Sequence, residues 1–432
     1  MMPAPGRGVS PMLPLSYLMT ALAAFVLAAL AVPWLAPELA GHYYQPRVLA
    51  LTHTMTLGWI TLTIMGASYQ IVPIVLGRPI WSERLARWQL ALTAAGIGGL
   101  VGHFFIGQWP GLLWAAGLVT LGVGLHMVNA VLSVRGLASW TFTARLVALA
   151  HVGLGLTALF GTLLGVDKVV RILPGSLFPN LHAHVHLALL GWVLPMVIGV
   201  AARVYPMFLL AREPAGWPGR VQLWGLGVGV PAVVLGILAS RVLLAAGALA
   251  VAAAVLAHVA WVHDMVRGRR RPALDWGLRF VLTGALALVP ATALGVALAL
   301  DVLAGPRVAL AYAALALGGW ASLTISGMLL KIVPFLVWYR AYGPRVGREP
   351  VPSLPQLGWP AGEGVALGLL ATGFAGLAAT LWLGEPAWIR ATGLLVAAGA
   401  LVLAATLARV LHHLMPCTRR VAVAPARRAG AA

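Results

Sequence analysis

The chain has 432 residues, of which 61% are hydrophobic and 9% are charged, and its formal net charge at pH 7 is +19. So few charged residues exclude an ordinary water-soluble globular protein, whose surface needs more polar side chains. Apolar stretches of about 20 residues, long enough to cross a bilayer as helices, recur along nearly the whole chain. Their length and their content of Leu, Ala and Gly favour helices over barrel strands, and predict about twelve of them.

The first predicted helix covers about Leu13–Leu35, and no clear small-residue cleavage site follows it, so we expect it to be retained. The helices then follow one another in three blocks of four, at approximately 13–140, 141–270 and 271–415. A basic tail at 416–432 ends the chain. We interpret the chain as a single all-α transmembrane domain with three pseudo-threefold-related blocks.

The basic residues are concentrated in alternate predicted loops. Arginines cluster in every second loop, as at 84–87, 267–271 and 340–348, whereas the loops between them are nearly uncharged or mixed. This positive-inside pattern predicts a multi-pass protein of the cytoplasmic membrane with both termini in the cytoplasm. Topology and attraction to anionic lipid explain the basicity without a nucleic-acid partner. The single cysteine, Cys417, excludes an internal disulfide and a thiolate metal cluster.

The second helix of each block carries the same pattern. The copies are HTMTLGWITLTIMGASYQIVP, HLALLGWVLPMVIGVAARVYP and AALALGGWASLTISGMLLKIVP, beginning at His53, His186 and Ala313. Each has a Gly-Trp pair, then a glycine and a proline at fixed spacing without a gap. A repeat of this length predicts three equivalent helices. The repeated Gly-Trp predicts close helix packing, because glycine lets helices approach while the indole fills the neighbouring groove.

Histidines stand at equivalent positions in two of the copies. His53 and His186 lie five residues before the Gly-Trp glycine, where the third copy has Ala314. Histidine inside a bilayer is costly without a partner, so its default interpretation is functional. In LHAHVHLALLGW, His182 and His186 share a helix face and His184 lies about 200° away, so one straight helix offers two sites on opposite sides. These four imidazoles are the candidate metal ligands, and without acidic neighbours they favour haem iron or copper.

The remaining membrane histidines stand alone in their helices. We expect each ring to be neutral and bonded to a neighbouring carbonyl or hydroxyl within the core. These residues are His103, His126, His151 and His258.

The stretch from His184 to Pro206 resembles a helix of known membrane enzymes. Its His-x-His, Leu-Leu-Gly-Trp and Tyr-Pro elements are similar to helix X in subunit I of haem–copper oxygen reductases, with the C-family (cbb-type) enzymes and their nitric-oxide-reductase relatives closest. Pro46-Arg47 followed by His53 resembles helix II of that family. The resemblance implies twelve helices in three arcs, His53 and His186 as axial ligands of a low-spin haem b, and His184 as ligand of a second haem or of copper.

Other parts of the chain depart from the family pattern. In the family, histidines of helices VI and VII hold copper beside the high-spin haem, but the seventh predicted helix here, Val221–Ala239, has no histidine. By helix count, the family's His-x-His should lie in the tenth predicted helix, but this chain has Tyr312 and Ala314 there. The sequence therefore predicts a haem protein without a dioxygen-reducing binuclear centre. We expect it to act in electron transfer. If His184 leaves iron or copper open, we expect nitric-oxide binding or sensing instead, as in the NnrS-like haem and copper membrane proteins that this chain resembles.

Two other functions stay open: a transporter of a metal ion, haem or a small molecule, and an assembly protein without a cofactor. A metal transporter is typically expected to have Met and Cys ligands along a path across the bilayer, whereas the histidines here concentrate at one depth. The chain has no cytochrome c attachment motif. A redox function would therefore need an electron donor outside the chain, either a cytochrome or a quinol, and a partner subunit is a further candidate.

Overall fold

The structure, a computed structural model, describes residues 9–213 and 216–415, and the predicted basic tail lies outside this part. Twelve helices within the described residues are long and apolar enough to cross a membrane, which confirms the predicted number. In chain order they are α1 Met12–Trp34, α2 Pro46–Leu76, α3 Glu83–Ile106, α4 Leu112–Ser133, α5 Phe142–Val170, α6 Leu177–Leu209, α7 Trp217–Ala239, α8 Arg241–Arg267, α9 Trp276–Ala299, α10 Pro306–Arg345, α11 Pro360–Leu383 and α12 Pro386–Leu414.

Local sequence explains several helix ends. Side-chain oxygens of Ser82, Thr141 and Asp275 accept hydrogen bonds from the first turns of α3, α5 and α9, where backbone N–H groups lack helical partners. Gly77 and Gly107 end α2 and α3 in the left-handed conformation, which glycine adopts without steric cost.

The first helix of each block packs against the second at the repeat glycine. At each crossing, a methyl group in place of the glycine hydrogen would overlap a Cβ atom of the first helix. The distances from that methyl position are 2.3 Å for Gly66 to Tyr17, 2.8 Å for Gly199 to Leu146 and 2.9 Å for Gly327 to Phe280. The repeat thus encodes the same close crossing in α1–α2, α5–α6 and α9–α10.

The repeat tryptophans link the three second helices to one another. Trp59 Nε1 donates to Ser322 Oγ at 3.0 Å, and Trp192 Nε1 donates to Thr61 Oγ1 at 3.3 Å. Each acceptor lies two residues after the tryptophan of another copy. The position that would complete the ring is Leu194, which has no side-chain acceptor. All three indoles are buried, so these bonds connect α2, α6 and α10 in the interior of the bundle.

Each of these central helices also contains a π-helical stretch, at Thr54–Thr61, Leu187–Val193 and Ala314–Ser322. The first two begin directly after His53 and His186. Such wider turns are rare and occur frequently at functional sites. A π-helical turn contains about one more residue than an α-helical turn. A helical wheel of 100° per residue therefore does not give the correct faces for the residues that follow His53 and His186.

Candidate functional site

A cavity of about 970 Å³ borders α6 on two sides. One side is lined by α2 to α5, and the other by α7 to α10. Its size is at the upper end of the range typical for small-molecule and cofactor sites, roughly 300–1,000 Å³. The walls are mainly Leu, Ala, Val and Thr. The four candidate ligands predicted from the sequence all line this cavity: His53, His182, His184 and His186.

His53 is held on α2 with one ring nitrogen free for a ligand. Its ring stacks on Phe104 of α3 with centroids 4.7 Å apart, and its Nδ1 lies 2.7 Å from the carbonyl oxygen of Leu49. Because a carbonyl only accepts, Nδ1 must carry the hydrogen and Nε2 keeps its lone pair. Metal-bound histidines are commonly oriented by such a bond at the second nitrogen.

His184 faces the same side of the cavity as His53. Its ring lies against Phe160 and Gly161 of α5, and a methyl group on Gly161 would lie 2.7 Å from the His184 Cε1 atom. The glycine therefore makes room for the ring. Nδ1 is buried and directed towards the Thr157 backbone, but outside hydrogen-bonding geometry. His53 and His184 both line the cavity on the side formed by α2 to α5.

His186 faces the other side. Its ring stacks with Tyr312 of α10 at a centroid distance of 6.0 Å, and its Nδ1 lies 2.8 Å from the His182 carbonyl oxygen. His184 and His186 thus point in different directions, in agreement with the helical-wheel argument. The sequence-based pairing joined His53 with His186. In the structure, His53 stacks on α3 and His184 lies against α5, both on the same side of α6, whereas His186 stacks on α10.

His182 lies at the end of the cavity nearest the loop before α6. Its Nε2 atom is hydrogen-bonded to the Tyr43 hydroxyl at 2.9 Å, and Phe178 and His42 surround the pair. Burial raises the pKa of Tyr43, so the hydroxyl stays protonated at neutral pH. One of the two ring nitrogens of His182 is therefore already hydrogen-bonded, unlike Nε2 of His53.

The donor set fits a haem better than a bare metal ion. Within the described residues, 9–213 and 216–415, no three His, Cys, Asp or Glu side chains come close enough to hold one metal ion. A haem brings four equatorial nitrogens of its own and needs only one or two axial imidazoles. His53 and His184 provide two imidazoles that border one mainly apolar cavity, and Gly161 leaves room for the His184 ring. They can therefore supply the ligands that a haem needs.

Two of the lone histidines form a pair that sequence reasoning missed. The His126 and His151 rings are nearly parallel with centroids 5.3 Å apart. His126 Nδ1 is bonded to the Tyr69 hydroxyl at 3.0 Å, and His151 Nδ1 donates to the Val147 carbonyl oxygen at 2.7 Å. The expected bonds to a carbonyl or hydroxyl are present in these two. Equal depth on the adjacent helices α4 and α5 was the signal that would have predicted their contact.

The same expectation was wrong for the other lone histidines, His103 and His258. Trp114 Nε1 donates to His103 Nε2 at 3.2 Å, and the buried Nδ1 of His258 has no partner among the described residues.

No known protein family and no curated protein matches the sequence. Among solved structures, a chain of a heme-copper terminal oxidase dimer is similar in fold, with a TM-score of 0.64 and 13% sequence identity. The similarity covers 96% of this chain and 83% of that chain. At this identity the likeness shows the fold alone. It confirms the predicted fold class, an all-α helical bundle with a haem–copper oxidase subunit I-like fold.

Proposed function

We propose that this protein is a haem-binding membrane redox protein that acts in electron transfer or in nitric-oxide-related chemistry. The observation that supports this proposal best is the position of His53 and His184, which face one apolar cavity from neighbouring central helices. The similar fold of a heme-copper terminal oxidase supports the same class of function.

The geometry favours His53 and His184 as the axial ligands of one haem b. The pairing of His53 with His186 is the alternative, and it would require a ring that now stacks on Tyr312 to turn. The chain's own contribution is to fix the tautomer of His53 through Leu49 and to surround the site with apolar side chains that exclude water. A haem bound there would supply one-electron chemistry.

The number of imidazole ligands distinguishes the two kinds of chemistry. Two axial imidazoles occupy both open positions of the iron and favour electron transfer. One axial imidazole leaves a position to which nitric oxide binds. The partners that we propose are a cytochrome or quinol as electron donor and a partner subunit, in the cytoplasmic membrane.

The test is an absorption spectrum of protein purified after haem-supplemented expression, before and after reduction with dithionite. We expect a sharp reduced α band in the wild type and its loss in His53→Ala and His184→Ala. His186→Ala should keep the band. His258→Ala is the matched control, because His258 is a buried histidine of α8 that does not line the cavity.

The other outcomes are equally informative. Loss of the band in His186→Ala but not in His184→Ala would restore the pairing of His53 with His186. A colourless wild-type protein would overturn the redox proposal and favour a transporter or an assembly protein.

A further inference from the structure

Lys168 is a cation at the edge of the cavity that has no acidic partner within the described residues. It lies in the last turn of α5, and its Nζ atom is 4.2 Å from the ring centroid of Trp109 and 4.5 Å from that of Tyr44. It also donates a hydrogen bond to the Tyr44 hydroxyl. The neighbouring Asp167 carboxylate accepts from two backbone N–H groups of the following loop instead.

The second cation that lines the cavity provides a contrast. Arg241, on the α10 side, forms an ion pair with Asp301 at 2.7 Å. Its charge is therefore compensated by the protein. Lys168 has two aromatic faces and a hydroxyl around it, but no anion. Aromatic faces attract a cation weakly compared with a carboxylate, so the lysine retains the capacity to bind one.

Lys168 is on the same face of α5 as the glycine that accommodates His184. Gly161 and Lys168 are seven positions apart, which is about two helical turns and roughly 10 Å. Lys168, His53 and His184 all line the same cavity. A flat ligand held between His53 and His184 would therefore extend along α5 towards the lysine.

We propose that Lys168 and Tyr44 bind a carboxylate at the edge of the ligand that His53 and His184 hold. This inference rests on the proposed function, and for a haem the group is a propionate. The ammonium group and the tyrosine hydroxyl provide two donors at the edge of a mainly apolar cavity, on the side that His53 and His184 line. A charge-assisted bond there would fix which edge of the ligand faces the loop end. The position of Lys168 near the C-terminus of α5 is also favourable to the helix dipole, so the test must separate ligand binding from helix stabilisation.

The experiment compares two probes, iron protoporphyrin and its dimethyl ester, in which both carboxylates are blocked. Each is titrated into haem-free protein in detergent, and the Soret band gives the dissociation constant. We expect the wild type to bind the free acid roughly ten- to a hundredfold more tightly than the ester, as a hydrogen bond to a charged group implies. In Lys168→Gln this ratio should fall towards one. Lys168→Arg should largely keep the ratio, and Tyr44→Phe should lower it partly.

Arg241→Gln is the control, because it removes the paired cation of the same cavity and should leave the wild-type ratio unchanged. Any difference in solubility between the probes enters every ratio by the same factor, so it cancels when the ratios of the variants are compared. A wild-type ratio near one overturns the inference, even if Lys168→Gln fails to fold. An unchanged ratio in Lys168→Gln overturns it too, while haem binding stands. Failure of both probes to bind the folded wild type would overturn the proposed function and this inference together.

Discussion

The histidines inside this helical bundle form two groups. The cavity histidines, such as His53 and His184, line the cavity, whereas His126 and His151 form a pair in the packed core. His53 and His151 make the same bond, from Nδ1 to the carbonyl four residues earlier, at 2.7 Å in both. His53 nevertheless keeps accessible surface, which faces the cavity, whereas His126 and His151 are 1% and 8% exposed and face each other. A fixed tautomer thus does not distinguish a ligand from a core histidine. Open space beside the free nitrogen does.

The pair of His126 and His151 belongs to a polar network in the core. Tyr69 joins His126 to Gln89, with its hydroxyl 3.1 Å from Gln89 Oε1. The Tyr17 hydroxyl is bonded to the same oxygen, and Gln89 is fully buried. The network therefore connects α1, α2, α3 and α4 and reaches α5 through the ring stack. Buried polar groups that are bonded in this way fix one arrangement of helices.

We expect the largest effect on stability, without an effect on haem binding, from His126→Ala in the core pair. The substitution removes the bond to Tyr69 and leaves a void in the core, so we expect stability to fall by about 2–3 kcal/mol. The haem spectrum of the protein that remains folded should not change. Thermal unfolding in detergent and the reduced α band measure the two quantities on one sample.

His126→Asn is the matched variant, because an amide can replace Nδ1 as the partner of Tyr69 and should recover part of the stability. Disappearance of the α band in folded His126→Ala would contradict the distinction, since it would place the core pair in the haem site.

A smaller effect is expected for Gly161→Ala on the cavity side. The added methyl group would lie 2.7 Å from the His184 ring and force it to move, so we expect haem affinity to fall roughly tenfold, as for other supports of a metal ligand. Gly155→Ala is the control on the same helix, because the nearest atom to its methyl group is Met127 Cε at 3.8 Å. Both changes raise helix propensity equally. Equal haem affinity in the two variants would show that His184 is not a ligand.

Much of the fold could be predicted from the sequence. Hydropathy predicted twelve helices because a bilayer imposes their length and apolar character. The Gly-Trp pairs predicted close helix packing, and Gly58, Gly191 and Gly319 do lie against the first helix of their blocks. The tighter crossings at the second repeat glycine were not predicted, because the sequence does not tell which of the two repeated glycines packs more tightly against the neighbouring helix. The His-x-His spacing also predicted that His184 and His186 point in different directions.

The sequence did not indicate which neighbour each histidine meets. The partners of the cavity histidines, Phe104 and Tyr312, lie on α3 and α10, and only the packing of the bundle brings them into contact. The aromatic enclosure of Lys168 likewise combines residues from three parts of the chain. The π-helical stretches were missed because a wheel of 100° per residue assumes a straight α-helix.

The smallest effect is expected for Tyr43→Phe, which tests His182, the histidine between the two groups. His182 lines the cavity like His184, yet its Nε2, the ring nitrogen that His53 keeps free, is hydrogen-bonded to a side chain. Loss of the hydroxyl should lower stability by about 1 kcal/mol or less, because the pair lies at the end of the cavity and the phenyl ring keeps its contact with His42, at a centroid distance of 4.3 Å. The α band should stay at the wild-type position. A shifted band would instead make His182 a ligand and Tyr43 the residue that orients it, since a changed bond to a bound imidazole alters the electron density at the iron.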